Sequence, residues 1–174
     1  KERALRHINN MKQASISVAA LAYALVLGGL SLAAPALAAT HPLGWGKNDV
    51  GQASPVPTNV MDDATAIAAG YNHSLAIKGG RAWAWGQNTS GQTNVPVAAQ
   101  SGVSQVAGGG TFSLALKSGG VIGWGAGAVV TNAPTSVTSD VTQIAAGENH
   151  ALALKSGGVI AWGTNTYGQC DVPD

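Results

Sequence analysis

Short apolar stretches separated by glycine and polar residues recur along the chain beyond Thr40. In the last of these units, residues 141–146 and 159–162 are mainly apolar and residues 151–155 alternate between apolar and polar side chains. These patterns favour three short β-strands. The second and third are joined by Ser-Gly-Gly at 156–158, whose adjacent glycines can adopt the positive φ of a tight hairpin turn. Each unit is therefore predicted to be an antiparallel meander.

The unit repeats with a period of 38 to 40 residues. Four Trp-Gly pairs are spaced 40, 39 and 38 residues apart, at Trp45, Trp85, Trp124 and Trp162. An Ile-Ala-Ala-Gly phrase at 67–70 returns in related form at 106–109 and 144–147. A small sheet of this period cannot bury both faces alone, so it stacks on copies of itself. We predict an all-β protein in which residues 39–174 form a partial β-propeller of about 3.5 repeats, with three to four antiparallel strands per blade. The four tryptophans are interpreted as core.

The segments between units share Asn followed by Gly-Gln, as at Asn48, Asn88 and Asn165. Such residues are typical of turns and exposed connections. The third unit departs from the pattern, because residues 126–134 replace the Asn and Gly-Gln phrase. Its connection is predicted to take a different path.

Residues 1–38 have the composition of a leader. They carry four basic residues against one acid, and an uncharged stretch over 14–34 follows Met11 and Lys12. Ala-Leu-Ala at 36–38 is typical of a signal-peptidase site. We expect cleavage near Ala38 and a secreted or cell-surface product that makes no membrane contact after cleavage. The alternative is a retained anchor, since the uncharged stretch is long enough to span a bilayer.

Composition excludes several functional classes. The net charge is +1, charged residues are 10% of the chain, and there is no basic run. Nucleic-acid binding is therefore not expected, because it requires clustered cations. The lone Cys170 excludes an internal disulfide and a zinc site built on several thiolates.

Candidate catalytic residues are few. His73 and His150 share one repeat position, and Phe112 occupies it in the remaining unit, which favours a planar packing role over a metal ligand or base. Asp62 and Asp63 are adjacent acids that are predicted to lie in a solvated turn. Cys170 has no neighbouring cation to activate it. We predict a non-enzyme with no catalytic residues, no cofactor and no metal.

Residues 144–163, followed by Gly168-Gln169, resemble the repeat of the regulator of chromosome condensation family in its bacterial secreted form. Residues 100–109 and the Ser-Leu-Ala-Leu-Lys strand that follows are also similar to the type II β-lactamase inhibitors of actinomycetes. That resemblance implies a seven-bladed ring of three-stranded blades, which needs more repeats than this chain holds. Either the sequence is a piece of a longer protein, or chains associate with themselves to close the ring.

Residues that vary between units on a constant frame are the candidates for binding. They follow the first strand or the Trp-Gly pair and comprise Tyr71, Asn72, Thr111, Glu148, Asn149, Asn88, Thr89 and Tyr167. The predicted function is a secreted, non-enzymatic protein-binding module, whose partner is another protein such as a β-lactamase or a cell-envelope protein. The alternatives are β-lactamase inhibition and a structural cell-surface repeat.

The resemblance to the inhibitors implies aromatic anchors at the second place after the first-strand glycine. Asn72, Thr111 and Asn149 stand at those places in this sequence. A face with so few aromatic anchors binds more weakly. Inhibition therefore remains the alternative interpretation.

Overall fold

The computed structural model describes residues 42–60 and 62–173. The predicted leader, residues 1–38, lies outside the described residues. Among the residues that are described, no helix is long and apolar enough to cross a membrane.

In the described part of the chain, nine strands form three separate sheets of three strands each. We name them blade 1 (β1 Ala64–Ala69, β2 His73–Lys78, β3 Arg81–Gly86), blade 2 (β4 Val103–Gly108, β5 Phe112–Lys117, β6 Gly120–Gly125) and blade 3 (β7 Val141–Ala146, β8 His150–Lys155, β9 Gly158–Gly163). Strands are paired in chain order and every pair is antiparallel. The predicted meander is confirmed, with three strands per blade.

The blades pack face to face through two apolar cores. One contains Leu75 and Ile77 of blade 1 with Val103 and Val106 of blade 2. The second joins blade 2 to blade 3 and contains these buried residues: Phe112, Leu114, Leu116, Val141 and Ile144. The second strand of one blade therefore contacts the first strand of the next, which is how a sheet with two apolar faces is buried in a repeat array.

An aromatic ring lies at the start of the second strand of each blade. His73, Phe112 and His150 each lie against a glycine three residues earlier, and a Cβ on Gly70, Gly109 or Gly147 would collide with the ring. His73 and Phe112 are 1% exposed, so the predicted packing role of this position is confirmed.

The Asn and Gly-Gln linkers fold into the same turn at each occurrence. The side-chain oxygens of Asn48, Asn88 and Asn165 accept backbone N–H bonds from Ala53, Thr93 and Cys170, at 2.9, 3.1 and 2.7 Å. In the same turns, the side-chain oxygens of Gln52, Gln92 and Gln169 accept backbone N–H bonds at 3.1, 2.9 and 2.8 Å.

The prediction that these linkers are exposed connections is wrong for Gln92, which is fully buried. Its carbonyl oxygen accepts the Ser113 hydroxyl at 2.8 Å and the Trp124 indole N–H at 2.8 Å. Gln52 serves blade 1 in the same way, through Ser74 and Trp85. The linker is buried because it lies on the following blade and supplies the acceptor that the buried indole needs.

The third linker does follow a different path, as predicted. It contains a short helix, α1 (Ala128–Thr131), and a 3-10 turn over Thr135–Thr138, whereas the second linker has a 3-10 turn over Val97–Ala99. Val129 nevertheless replaces the missing glutamine, because its carbonyl accepts the Trp162 indole N–H at 3.0 Å.

One predicted core tryptophan is exposed. Trp124 and Trp162 are 6% exposed and Trp85 is half-buried, but Trp45 is 86% exposed. The prediction is wrong for Trp45 because this residue lies in a segment, residues 42–56, that forms no strand, so its ring is not held inside a sheet and lines an open groove beside blade 1. The additional Trp83 is half-buried, with the Arg81 guanidinium 4.5 Å from its ring centre.

Candidate protein-binding face

The two groups of variable loops lie at one end of the blades. In a three-stranded meander, the loop between the first and second strands and the exit of the third strand share one end. We call this the loop end, and the opposite end, with the Gly-Gly turns, the hairpin end. All eight candidate binding residues lie in segments that leave the sheets at the loop end.

Backbone hydrogen bonds connect these loops to one another. The Tyr71 N–H donates to the Gly109 carbonyl at 3.0 Å, and the Gly110 N–H donates to the Glu148 carbonyl at 2.8 Å. The loops of blades 1, 2 and 3 thus form one continuous tier. A loop held by its neighbours loses little conformational entropy when it binds a partner.

A second set of bonds ties the strand exits to the same loops. Gln87, Ala126 and Thr164 donate their backbone N–H groups to the carbonyls of Asn72, Thr111 and Asn149, at 2.8, 3.0 and 2.8 Å. The backbone frame is therefore the same in all three blades. The side chains on that frame differ between blades, so the loops vary in their side chains and not in these backbone hydrogen bonds.

Two aromatic residues dominate the exposed surface of this end. Tyr71 is 73% exposed and Tyr167 is 92% exposed. Exposed tyrosines combine a large apolar ring with a hydroxyl, which suits a protein interface. Within the described residues, no side-chain hydrogen bond engages Glu148, Asn149 or Thr89, so these groups can also contact a partner.

Three candidate residues have structural duties. The Asn88 side-chain oxygen accepts the backbone N–H of Thr93, and the Asn88 side-chain amide donates to the Asn94 side-chain oxygen at 2.8 Å. Asn72 donates to the Gln87 side chain at 3.1 Å, and the Thr111 hydroxyl donates to the Ala126 carbonyl at 3.2 Å. Their polar atoms hold the loop frame, whereas Tyr71, Glu148 and Tyr167 extend from it.

The sequence prediction missed an apolar groove beside blade 1. Residues 42–56 cross this blade and enclose about 450 Å³ between Trp45, Ile67 and Trp85. At its rim Lys47 and Asp49 form an ion pair of 3.0 Å. A hydrogen bond from Gln52, followed by Lys47, lowers the pKa of the Asp49 carboxyl, and Asp49 raises the pKa of Lys47. The sequence does not indicate that Trp45 is exposed, because Trp45 stands in the same Trp-Gly pair as the buried tryptophans.

The described residues offer little for catalysis. No group of three or more His, Cys, Asp or Glu residues is arranged to hold a metal ion in ranges 42–60 and 62–173. Burial lowers the pKa of His73, which favours the neutral imidazole. Cys170 is half-buried and its Sγ lies 3.5 Å from the Thr164 carbonyl. Asp63 lies exposed at the start of β1, as the solvated-turn prediction expected.

The repeat is similar to a known family. The Regulator of chromosome condensation (RCC1) repeat matches residues 64–92 and 141–169. Both matches run from the first strand of a blade through the Gly-Gln linker, so they coincide with the structural unit described above. Propellers of this repeat type are mainly non-enzymatic interaction and regulatory folds. No curated protein sequence matches the chain significantly.

Several solved structures are similar to this chain in fold. Prp20p of Saccharomyces cerevisiae superposes with a TM-score of 0.55 at 20% identity, over 77% of this chain and 44% of that one. The ectodomain of the Physcomitrella patens receptor kinase CR4 gives 0.54 at 27%, over 68% and 34%. The CRINKLY WD40 ectodomain of the Arabidopsis thaliana receptor kinase ACR4 gives 0.52 at 24%, over 68% and 41%. The chain thus spans less than half the length of these proteins.

Proposed function

We propose that this protein is a secreted, non-enzymatic module that binds another protein through the loop end of its blades. The observation that carries the proposal is the contrast between a constant backbone tier and the side chains it presents. Function is commonly placed on loops that a rigid scaffold positions. Here that scaffold presents Tyr71, Glu148 and Tyr167 on one side of three consecutive blades.

The chemistry of this end favours a protein partner. Large exposed aromatic rings at the centre of an interface supply most of the binding free energy in protein complexes. A nucleic-acid partner is disfavoured because the loop end carries the acidic Glu148, and Lys47, at the rim of the groove beside blade 1, is paired with Asp49. Similar propellers support a protein partner as well, since Prp20 binds Kap60, and its binding to Gsp1p and histones has been described.

Secretion is part of the proposal and depends on the leader. Residues 1–38 combine a basic start, an uncharged stretch and an Ala-x-Ala site. The partner would then be an extracellular or envelope protein.

A capture experiment tests the binding face. The purified chain is immobilised and exposed to proteins of the culture medium and cell envelope of its host. The double variant Tyr71→Ser/Tyr167→Ser removes both exposed rings. Val97→Ser is the matched control, because Val97 is 82% exposed and lies at the hairpin end, where the carbonyl of the next residue, Ala98, accepts a hydrogen bond from Lys117 at the end of β5. We expect the wild type and the control to retain the same protein, and the double variant to retain it at least about tenfold less. Equal retention by all three contradicts the proposal.

β-Lactamase inhibition is the second candidate, and the exposure of Tyr71 in the loop of blade 1 favours it. The test is a titration of several class A β-lactamases, following substrate hydrolysis as the chain is added. Saturating inhibition at one chain per enzyme supports this candidate. Full activity at about 10 µM of folded chain excludes this candidate. At that concentration, an inhibitor with a Kd of about 1 µM or lower would occupy about nine tenths of the enzyme or more.

A further inference from the structure

The loops between the first and second strands carry a different residue in each blade at one equivalent position. Each loop begins with a glycine, and the residue after it is Tyr71 in blade 1, Gly110 in blade 2 and Glu148 in blade 3. Tyr71 and Glu148 are exposed. The middle loop therefore has no side chain at the position where its two neighbours carry a phenol ring and a carboxylate.

The glycine leaves a recess over the loop of blade 2. Backbone hydrogen bonds hold the three loops side by side, from Tyr71 to Gly109 and from Gly110 to Glu148. Backbones bonded in this way lie about 5 Å apart, as in paired strands, so roughly 10 Å separates the loop backbones of blades 1 and 3 across the recess. That span leaves room for one long side chain of a partner.

The Glu148 side chain extends over this recess. A Cβ at Gly110 would come 3.1 Å from Glu148 Cγ and 2.8 Å from the Glu148 carbonyl oxygen, so the stem of Glu148 lies directly against the glycine. Among residues 42–60 and 62–173, no ion pair or side-chain hydrogen bond engages the Glu148 carboxylate. Both of its oxygens are therefore open to hydrogen-bond donors of another molecule.

The basic residues of the described chain lie away from Glu148. Four of them lie at the hairpin end: Lys78, Arg81, Lys117 and Lys155. The fifth, Lys47, lies at the rim of the groove beside blade 1 and pairs with Asp49 at 3.0 Å. A cation that pairs with Glu148 thus comes from a partner, because the described residues place none beside it.

We propose that the recess over Gly110 binds an arginine side chain of the partner protein. This inference rests on the proposed function, since it names the chemistry that the loop end recognises. A guanidinium group forms two parallel N–H···O bonds with a carboxylate and also packs on an aromatic ring. Glu148 and Tyr71 flank the recess and offer these two contacts. A lysine ammonium is a compact, strongly hydrated charge that cannot form the paired bonds or stack on the ring.

Neutralising the carboxylate tests its role. The immobilised full chain is exposed to proteins of the culture medium and cell envelope, and the protein whose retention requires Tyr71 and Tyr167 is quantified. Glu148→Gln keeps the shape of the side chain and removes its charge. Asp140→Asn is the matched control, because Asp140 is an exposed acid at the hairpin end. We expect Glu148→Gln to retain that protein at least about tenfold less, and the control to retain it like the wild type.

Chemical modification of the applied proteins identifies the cation. Phenylglyoxal blocks the arginines of one sample, and acetylation blocks the lysines of another. We expect the wild type and Glu148→Gln to retain equal amounts of the arginine-blocked protein, because the group that distinguishes them is gone. The preference of at least about tenfold for the wild type should persist with the lysine-blocked protein. Comparing the two variants on each sample removes any effect of modification at other sites.

The outcomes separate this inference from the proposed function. Equal retention of the unmodified protein by the wild type and Glu148→Gln overturns the inference and leaves the proposed function standing, since retention still requires the two tyrosines. A preference that survives arginine modification, or that lysine modification abolishes, overturns the assignment of arginine. A chain that retains no protein, or retains it equally without the tyrosines, overturns both.

Discussion

The imidazole of His73 in blade 1 lies 2.9 Å from the hydroxyl of Ser113 in blade 2, and both side chains are buried. Because Ser113 donates its own hydrogen to the Gln92 carbonyl, its oxygen accepts the proton on His73 Nε2. This bond fixes the neutral tautomer that is protonated on Nε2. Nδ1 has no hydrogen-bond partner among the described residues. The joint between the first two blades is therefore built for a neutral histidine.

Protonation of His73 is expected to weaken this joint. Burial lowers the pKa of His73 in the folded chain below its ordinary value of 6.5, so the unfolded chain binds more protons as the pH falls below that value. The contribution of His73 to the free energy of unfolding is therefore greatest above pH 6.5, and it decreases as the pH falls towards the folded-state pKa. Urea unfolding at a series of pH values measures this slope.

The chain provides a replacement for this histidine. Phe112 occupies the same position in blade 2 against Gly109, so His73→Phe fits the same cradle. We expect His73→Phe to flatten the loss of stability below pH 6.5, whereas His150→Phe, at the half-buried copy of the position, should leave it in place. An unchanged slope in His73→Phe would show that other groups govern the acid sensitivity.

Ser113→Ala should destabilise the fold by about 1–3 kcal/mol, because it leaves the buried Nε2–H of His73 without an acceptor. Ser74→Ala in blade 1 is the matched comparison, since Ser74 makes the same bond to a linker carbonyl but serves no histidine. We expect Ser74→Ala to lower the free energy of unfolding by less than Ser113→Ala. Chemical denaturation measures both values.

A double-mutant cycle with His73→Phe tests whether the two side chains act together. With the imidazole removed, Ser113→Ala should cost about 1 kcal/mol less than in the wild type, because no donor is left unpaired. Additive effects would contradict a coupled pair.

Gly108→Ala should destabilise the protein by about 2 kcal/mol or more, through overpacking that the backbone cannot relieve. A Cβ at Gly108 would come within 2.6 Å of the Gly70 nitrogen in blade 1. Gly123→Ala is the control, because the nearest atom to its Cβ would be a Leu114 methyl group at 3.3 Å, at the end of a side chain that can shift, with Val130 no closer than 3.8 Å. Its stability should lie within about 1 kcal/mol of the wild type. Equal losses in the two variants would argue against close blade contact.

The leader proposal predicts a defined N-terminus. Export should remove residues 1–38 and leave a product that starts at Ala39, because Ala-Leu-Ala precedes that position. Mass spectrometry of the protein in the culture medium measures it. Ala38→Asp, which places a charge at the cleavage position, should block processing. An intact chain that remains with the membrane fraction would favour the retained anchor.

The repeat could be derived from the sequence because its signals are local. Alternation, Gly-Gly turns and the Trp-Gly spacing predicted all three meanders, and the start of β7 agrees with the predicted residue Val141. Similarly, the comparison of His73 with Phe112 predicted a packing position, since a site that accepts both rings requires shape more than charge.

What could not be derived depends on contacts between units. Gln92 has the composition of an exposed turn, yet it is buried because the next blade needs its carbonyl. Trp45 carries the same motif as Trp124 and differs only in its surroundings. At the candidate site, pattern alone indicated which loops vary, but not that Asn88 and Asn72 hold the frame while Tyr71 and Tyr167 are exposed.

Site-specific photo-crosslinking tests the central claim most directly. The photoreactive residue p-benzoylphenylalanine replaces Tyr71, Tyr167 or Val97, one at a time, and the chain is irradiated in its host. The account predicts one discrete adduct with another protein from positions 71 and 167 at the loop end, and none from position 97 at the hairpin end. An adduct that forms equally from position 97, or no adduct from either tyrosine position in a folded chain, would contradict a protein-binding role for the loop end.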